Sequence, residues 1–180
     1  MISTDVLVEA LYQIGDAFTT DLGVWWFLAP VFLLWIAMEV YLGEYKKEQW
    51  GFSSSLANSI SFTWINIVSL RFIFLESSYS EDPRLWLAFS FLMYGFLLIY
   101  LSFLHALPQR LTAIVAGPTP VYFLSVLSVL WGQGLLAISL PIIIDLAIAY
   151  VVIWLFWKLV KSRLGILGEV EAVKKGETPL

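Results

Sequence analysis

The chain contains no cysteine and a single histidine, His105, among its 180 residues. Disulfides, thiolate nucleophiles, iron–sulfur ligation and cysteine-based zinc sites are thereby excluded. One imidazole supplies neither a bis-histidine haem site nor a two-histidine zinc motif. Charge is scarce as well: Asp, Glu, Lys and Arg make up 13% of the chain, roughly half the share of a soluble domain. The first 23 residues hold no Lys or Arg but four acids, Asp5, Glu9, Asp16 and Asp21. A secretory signal opens on positive charge, so this start predicts a retained anchor. The net charge of −4 repels phosphate backbones and excludes a nucleic-acid partner. There are no clustered acids and no serine-nucleophile motif. The expectation is therefore no enzyme, no metal and no cofactor.

Apolar residues are what the chain has in excess. They make up 60% of it, and the mean hydropathy is +0.84. A globule of this size must keep a polar outer layer, so this composition points to lipid as the solvent. A membrane helix needs about 20 mostly apolar residues. Five stretches meet that length: Leu22–Leu42, Ser55–Leu75, Leu85–His105, Thr119–Ser139 and Pro141–Lys161. The fourth opens on Gly117-Pro118-Thr119-Pro120 and contains Gly132-Gln133-Gly134. Keeping it long enough to cross places the Gly-Gln-Gly inside the span, or inside a broken one. Broken membrane helices expose carbonyls that line binding sites, which makes Gly132, Gln133 and Gly134 a candidate site.

The basic residues set an orientation. With the N-terminus outside, the inner segments carry Lys46, Lys47, Arg110, Lys158, Lys161, Arg163, Lys174 and Lys175, and the outer segments carry Arg84 alone. Positive residues stay cytoplasmic, so the prediction is N-out, C-in, in the cell membrane. Trp25, Trp26, Tyr41, Trp50, Trp86, Trp154 and Trp157 fall near span ends, where amphipathic rings settle among headgroups. Trp35, Trp64 and Trp131 lie deeper and are expected to pack. The fold class is an all-α, polytopic integral membrane protein: a five-transmembrane-helix bundle preceded by an amphipathic helix. That first helix (residues 1–21) repeats apolar side chains at Leu7, Leu11, Ile14 and Phe18 and is expected at the outer surface. Residues 22–161 form the membrane domain and 162–180 a cytoplasmic polar tail. Leu107–Ala116 predicts a short interfacial helix stopped by Gly117-Pro118.

Polar groups inside the spans carry the functional content. At about 100° per residue, Ser55, Asn58, Ser59, Thr63, Asn66 and Ser69 line one face of the second span. Hydrocarbon offers amides and hydroxyls no partners, so this stripe must meet other helices or water. It is either an interhelical hydrogen-bonding seam or one wall of a hydrophilic path, with Phe62 as a constriction. Three charges lie within spans. Arg71 and Asp145 fall at similar depth and are expected to pair, within or between subunits, unless Arg71 snorkels to the headgroups. Glu39 is expected to bond Asn58 or to reach Lys46 or Lys47; a lone membrane carboxylate can be a proton or cation site, but so close to the interface snorkelling is the stronger expectation. In the fourth span, Ser128 and Gly132 form a small-xxx-small pair that marks a packing face. The leading expectation is a small channel or transporter for ions or small polar solutes. It would work as a homo-oligomer in the lipid bilayer, with its path on the second span. The alternative is a non-catalytic scaffold or assembly subunit docked to a membrane-protein partner.

Overall fold

A computed structural model describes residues 4–44, 51–76 and 82–164, and all of their regular elements are helices. They are α1 (Thr4–Ala17), a 3-10 turn (Leu22–Val24), α2 (Trp25–Glu44), α3 (Phe52–Glu76), α4 (Pro83–Phe103), α5 (Gln109–Val115), α6 (Pro118–Gly132) and α7 (Leu140–Arg163). Five stretches are long and apolar enough to cross a membrane: Leu22–Glu44, Phe52–Leu75, Pro83–Phe103, Arg110–Gly132 and Leu140–Arg163. Lys46, Lys47, Trp50, most of the 76–84 connection and the tail from 165 lie outside the described residues.

Local chemistry sets the helix ends. Asp82 caps α4, accepting from the Arg84 backbone N–H at 2.9 Å and from its Nε at 2.8 Å. Pro83 takes the first turn, where a missing N–H costs nothing. The Arg84 hydrogen bond holds the Asp82 carboxyl below its ordinary value of 3.8. α4 and α6 stop in the same way. In each, a residue at positive φ follows the last turn (His105 at 51°, Gly134 at 68°). The next N–H then reaches back to a carbonyl five residues earlier, Ala106 to Leu101 and Leu135 to Leu130. This αL stop suits glycine and is unusual for histidine. His105 lies edge-on to Phe52, with ring centroids 4.1 Å apart.

The fourth span therefore differs from the sequence expectation. Gly132-Gln133-Gly134 does not sit inside a crossing helix; it ends one, and no broken-helix site forms there. The length needed to cross comes from the other end, where α5 and α6 together cover Arg110–Gly132. The interruption falls at Ala116-Gly117, where Pro118 starts α6. Proline's fixed φ favours a fresh helix start over continuation of the old helix.

α6 is the axis of the bundle: 12 of its 15 residues are buried. α3 and α2 pack along it, α4 packs mainly on α3, and α7 packs on α1 and α2. α2 presents Leu28, Val31, Trp35 and Glu39, which share one helical face. Glycines bring α3 close to both neighbours. A β-carbon on Gly132 would lie 2.7 Å from Ser69 Cβ, and one on Gly95 would lie 2.5 Å from Thr63 Oγ1. The Ser128/Gly132 pair thus faces α3 of the same chain. α1 buries Ala10 and Ala17 in the core that Ile142 and Leu146 share, while Leu11 is 54% exposed. Its buried face is thus rotated from the one its larger apolar residues mark. Trp64, expected to pack, is 64% exposed, whereas Trp35 and Trp131 are buried.

Candidate functional site

The polar face of α3 is a buried seam of hydrogen bonds. Ser55, Asn58, Ser59, Thr63, Asn66 and Ser69 are all buried. Ser55 Oγ meets Ser102 Oγ of α4 at 2.7 Å. Asn58 Nδ2 donates to the Ala116 carbonyl at 3.3 Å, and Tyr122 OH donates to Asn58 Oδ1 at 3.1 Å. Asn66 Oδ1 accepts from Ser128 Oγ at 2.7 Å, and its Nδ2 donates to the Phe62 carbonyl at 2.8 Å. Ser69 Oγ lies 3.0 Å from Ser128 Oγ. Ser59 and Thr63 turn back on the carbonyls of Ser55 and Ser59. Phe62 is fully buried in a cluster with Leu98, Ala116 and Val121, so it packs the seam shut.

The intramembrane charges do not gather as the sequence suggested. Arg71 lies exposed on α3. Asp145 lies buried on α7 at 4% exposure, and its Oδ2 has no hydrogen-bond partner among the described residues. No ion pair joins the two within the chain. Similar depth placed them together; helix rotation and the position of α7 away from α3 keep them apart. Asn58 bonds elsewhere and is not a partner of Glu39, and Lys46 and Lys47 lie outside the described residues. Glu39 is 0% exposed. Its Oε1 accepts from Thr119 Oγ1 of α6, and its Oε2 pairs with Lys161 Nζ of α7. Thr119 stands in the first turn of α6, where the positive end of the helix dipole favours a carboxylate.

Glu39 forms the floor of a vestibule of about 420 Å³. Gly117, Pro118 and Pro120 make one wall, and Tyr150, Trp154, Trp157, Lys158 and Lys161 the other. The Lys158 Nζ stands 5.3 Å from the centre of the Trp154 ring. The α7 wall is a stripe, because residues 150, 154, 157, 158 and 161 recur at helical spacing. Sequence reasoning missed it, taking the lysines as orientation markers and the tryptophans as headgroup anchors. The signal was their common face. Asp145 is 16 residues before Lys161 on the same helix, about 24 Å away at 1.5 Å per residue, so the two buried carboxylates serve opposite ends of the bundle. Gln133 borders a cleft between α2 and α3 with Trp26, Phe27 and Trp64. Neither the vestibule nor that cleft is lined by a residue of the α3 seam. Among the described residues no group of three or more His, Cys, Asp or Glu could hold a metal ion.

Fold and site together define a helical bundle with five candidate membrane spans and one deep ion pair at its basic end. The chain matches no family model, no curated protein and no solved structure.

Proposed function

We propose that the protein is a small integral membrane transport protein, oriented N-out and C-in, whose cargo places its polar part beside Glu39, Thr119 and Lys161. One observation carries this reading: a fully buried carboxylate, paired with a lysine, at the floor of a vestibule at the basic end. Removing the Glu39 carboxylate from water costs several kcal/mol, while Lys161 stays 34% exposed, and apolar substitutes of like volume commonly serve stability as well or better. An ionisable pair kept at such cost in a lipid-facing bundle is a default functional site. The reading moves the polar centre off the α3 stripe. There, a path would have to break hydrogen bonds that already satisfy Asn58, Asn66 and Ser128.

Transport assays on reconstituted protein are the test. Separate vesicle preparations follow K+, Cl−, inorganic phosphate and the transbilayer movement of a labelled lipid. The expected result is movement of one of these above empty vesicles, lost in the charge-free pair Glu39→Gln with Lys161→Met. No movement of any probe, or movement unaltered in that double variant, overturns the proposal. A stoichiometric foreign membrane protein co-purifying with a transport-inactive chain would favour the assembly-subunit alternative.

A further inference from the structure

The vestibule does not end at its own walls. Pro120 and Tyr150 also line a second cavity, a groove of about 430 Å³ between α6 and α7. The other residues on that groove are apolar, among them Leu127 and Trp131 on α6 and Ile143 and Ala147 on α7. We infer that vestibule and groove form one site for an anionic phospholipid, its phosphodiester beside Lys158 and Lys161 and one acyl chain along the groove. As a ligand, the lipid stands on the geometry alone; as the cargo, it rests on the transport reading.

Three features fit this occupant. The first is charge. The acidic and basic side chains lining the vestibule are Glu39, Lys158 and Lys161, whose formal charges sum to one positive charge. Glu39 engages Lys161, and among the described residues no carboxylate pairs with Lys158. One phosphodiester balances that sum. The second is length. From Pro120 to Trp131 the α6 wall of the groove rises about 16 Å, at 1.5 Å per residue. Half of a hydrocarbon core of about 30 Å is about 15 Å, so the acyl chain of one leaflet matches the groove in length. The third is depth. Trp154, Trp157 and Lys158 stand at the basic end of α7, the residue types that settle at headgroup level. A free anion would use the first feature and leave the groove unfilled. A zwitterionic lipid would bring its own cation with its phosphodiester and leave the net positive charge unbalanced.

The probe is phosphatidylglycerol, set against phosphatidylcholine with the same acyl chains and against inorganic phosphate. Native mass spectrometry of the full chain reads retained lipid, and a thermal melt reads stabilisation. Phosphatidylglycerol is expected to be retained roughly tenfold over phosphatidylcholine, the ratio that one or two lysine contacts supply at a membrane surface. Lys158→Gln should erase most of that preference. Ala147→Trp, a change at an exposed groove position, should lower retention of both lipids. Equal retention of the two lipids overturns the inference. So does undiminished phosphatidylglycerol retention in both variants, or equal stabilisation by inorganic phosphate. Lipid retention without transport of any probe sinks the transport reading and leaves this site standing. Ion movement without lipid retention does the reverse.

Discussion

Glu39 shows what a single side chain can demand of its surroundings. Placed at the inner end of its span by the sequence, it looks able to escape to the headgroups. The fold denies it that exit and supplies Thr119 and Lys161 instead. Those partners lie 80 and 122 residues further along the chain, so no local pattern could name them. The consequence is an asymmetry between single and double substitutions. Lys161→Met alone leaves a carboxylate buried without its cation and should destabilise the protein by about 3–5 kcal/mol. Adding Glu39→Gln should recover most of that loss. Denaturant titration of the purified variants measures both. A double variant as unstable as the single would show that Glu39 does not need the lysine's charge. The α3 stripe is the opposite case. Its face was legible because helical spacing alone aligns Ser55 to Ser69; whether it met protein or water depended on Tyr122, Ser128 and Ser102, which only packing brings across.

At the scale of elements, apolar length found the number of candidate spans, but the fourth lies at Arg110–Gly132, not Thr119–Ser139, and takes in the short helix expected at the interface. In the fourth span, composition alone did not separate a glycine that bends a helix from one that ends it. Gly134 ends α6 because its positive φ turns the following N–H, that of Leu135, back to the Leu130 carbonyl. Gly132, two residues earlier, has a different task. It lets α6 approach α3 until backbone and Ser69 nearly touch. A β-carbon there meets Ser69 Cβ at 2.7 Å and Cα at 3.0 Å, and backbone cannot swing aside as a long side chain does. Gly132→Ala should therefore cost about 1–3 kcal/mol, in the range of overpacked cores. The same denaturant titration reads it, and an unchanged midpoint would show that the two helices have slack. α1 warns against weighing side chains by size. Its alanines are what α7 and the core bury, because small residues let helices approach closely.

For the whole molecule, the proposed N-out, C-in orientation puts Thr4 and Arg163 on opposite sides of a bilayer, a reading supported by five candidate spans and the eight-to-one distribution of basic residues. Impermeant cysteine labelling checks this without background, since the natural chain has no thiol. A cysteine introduced at Thr4 should react in intact cells, and one at Arg163 only after permeabilisation. Reaction of both in intact cells would leave an even number of crossings. The order of helices also bears on how the chain is made. Asn66 precedes its partner Ser128 by 62 residues, and α6, around which the rest assembles, is the fourth of the five spans to be synthesised. Until α6 is made, Asn58 lacks Tyr122 and the Oδ1 of Asn66 lacks Ser128, the partners that hold them in the fold. The seam of α3 is thus completed late, only when its centrepiece arrives.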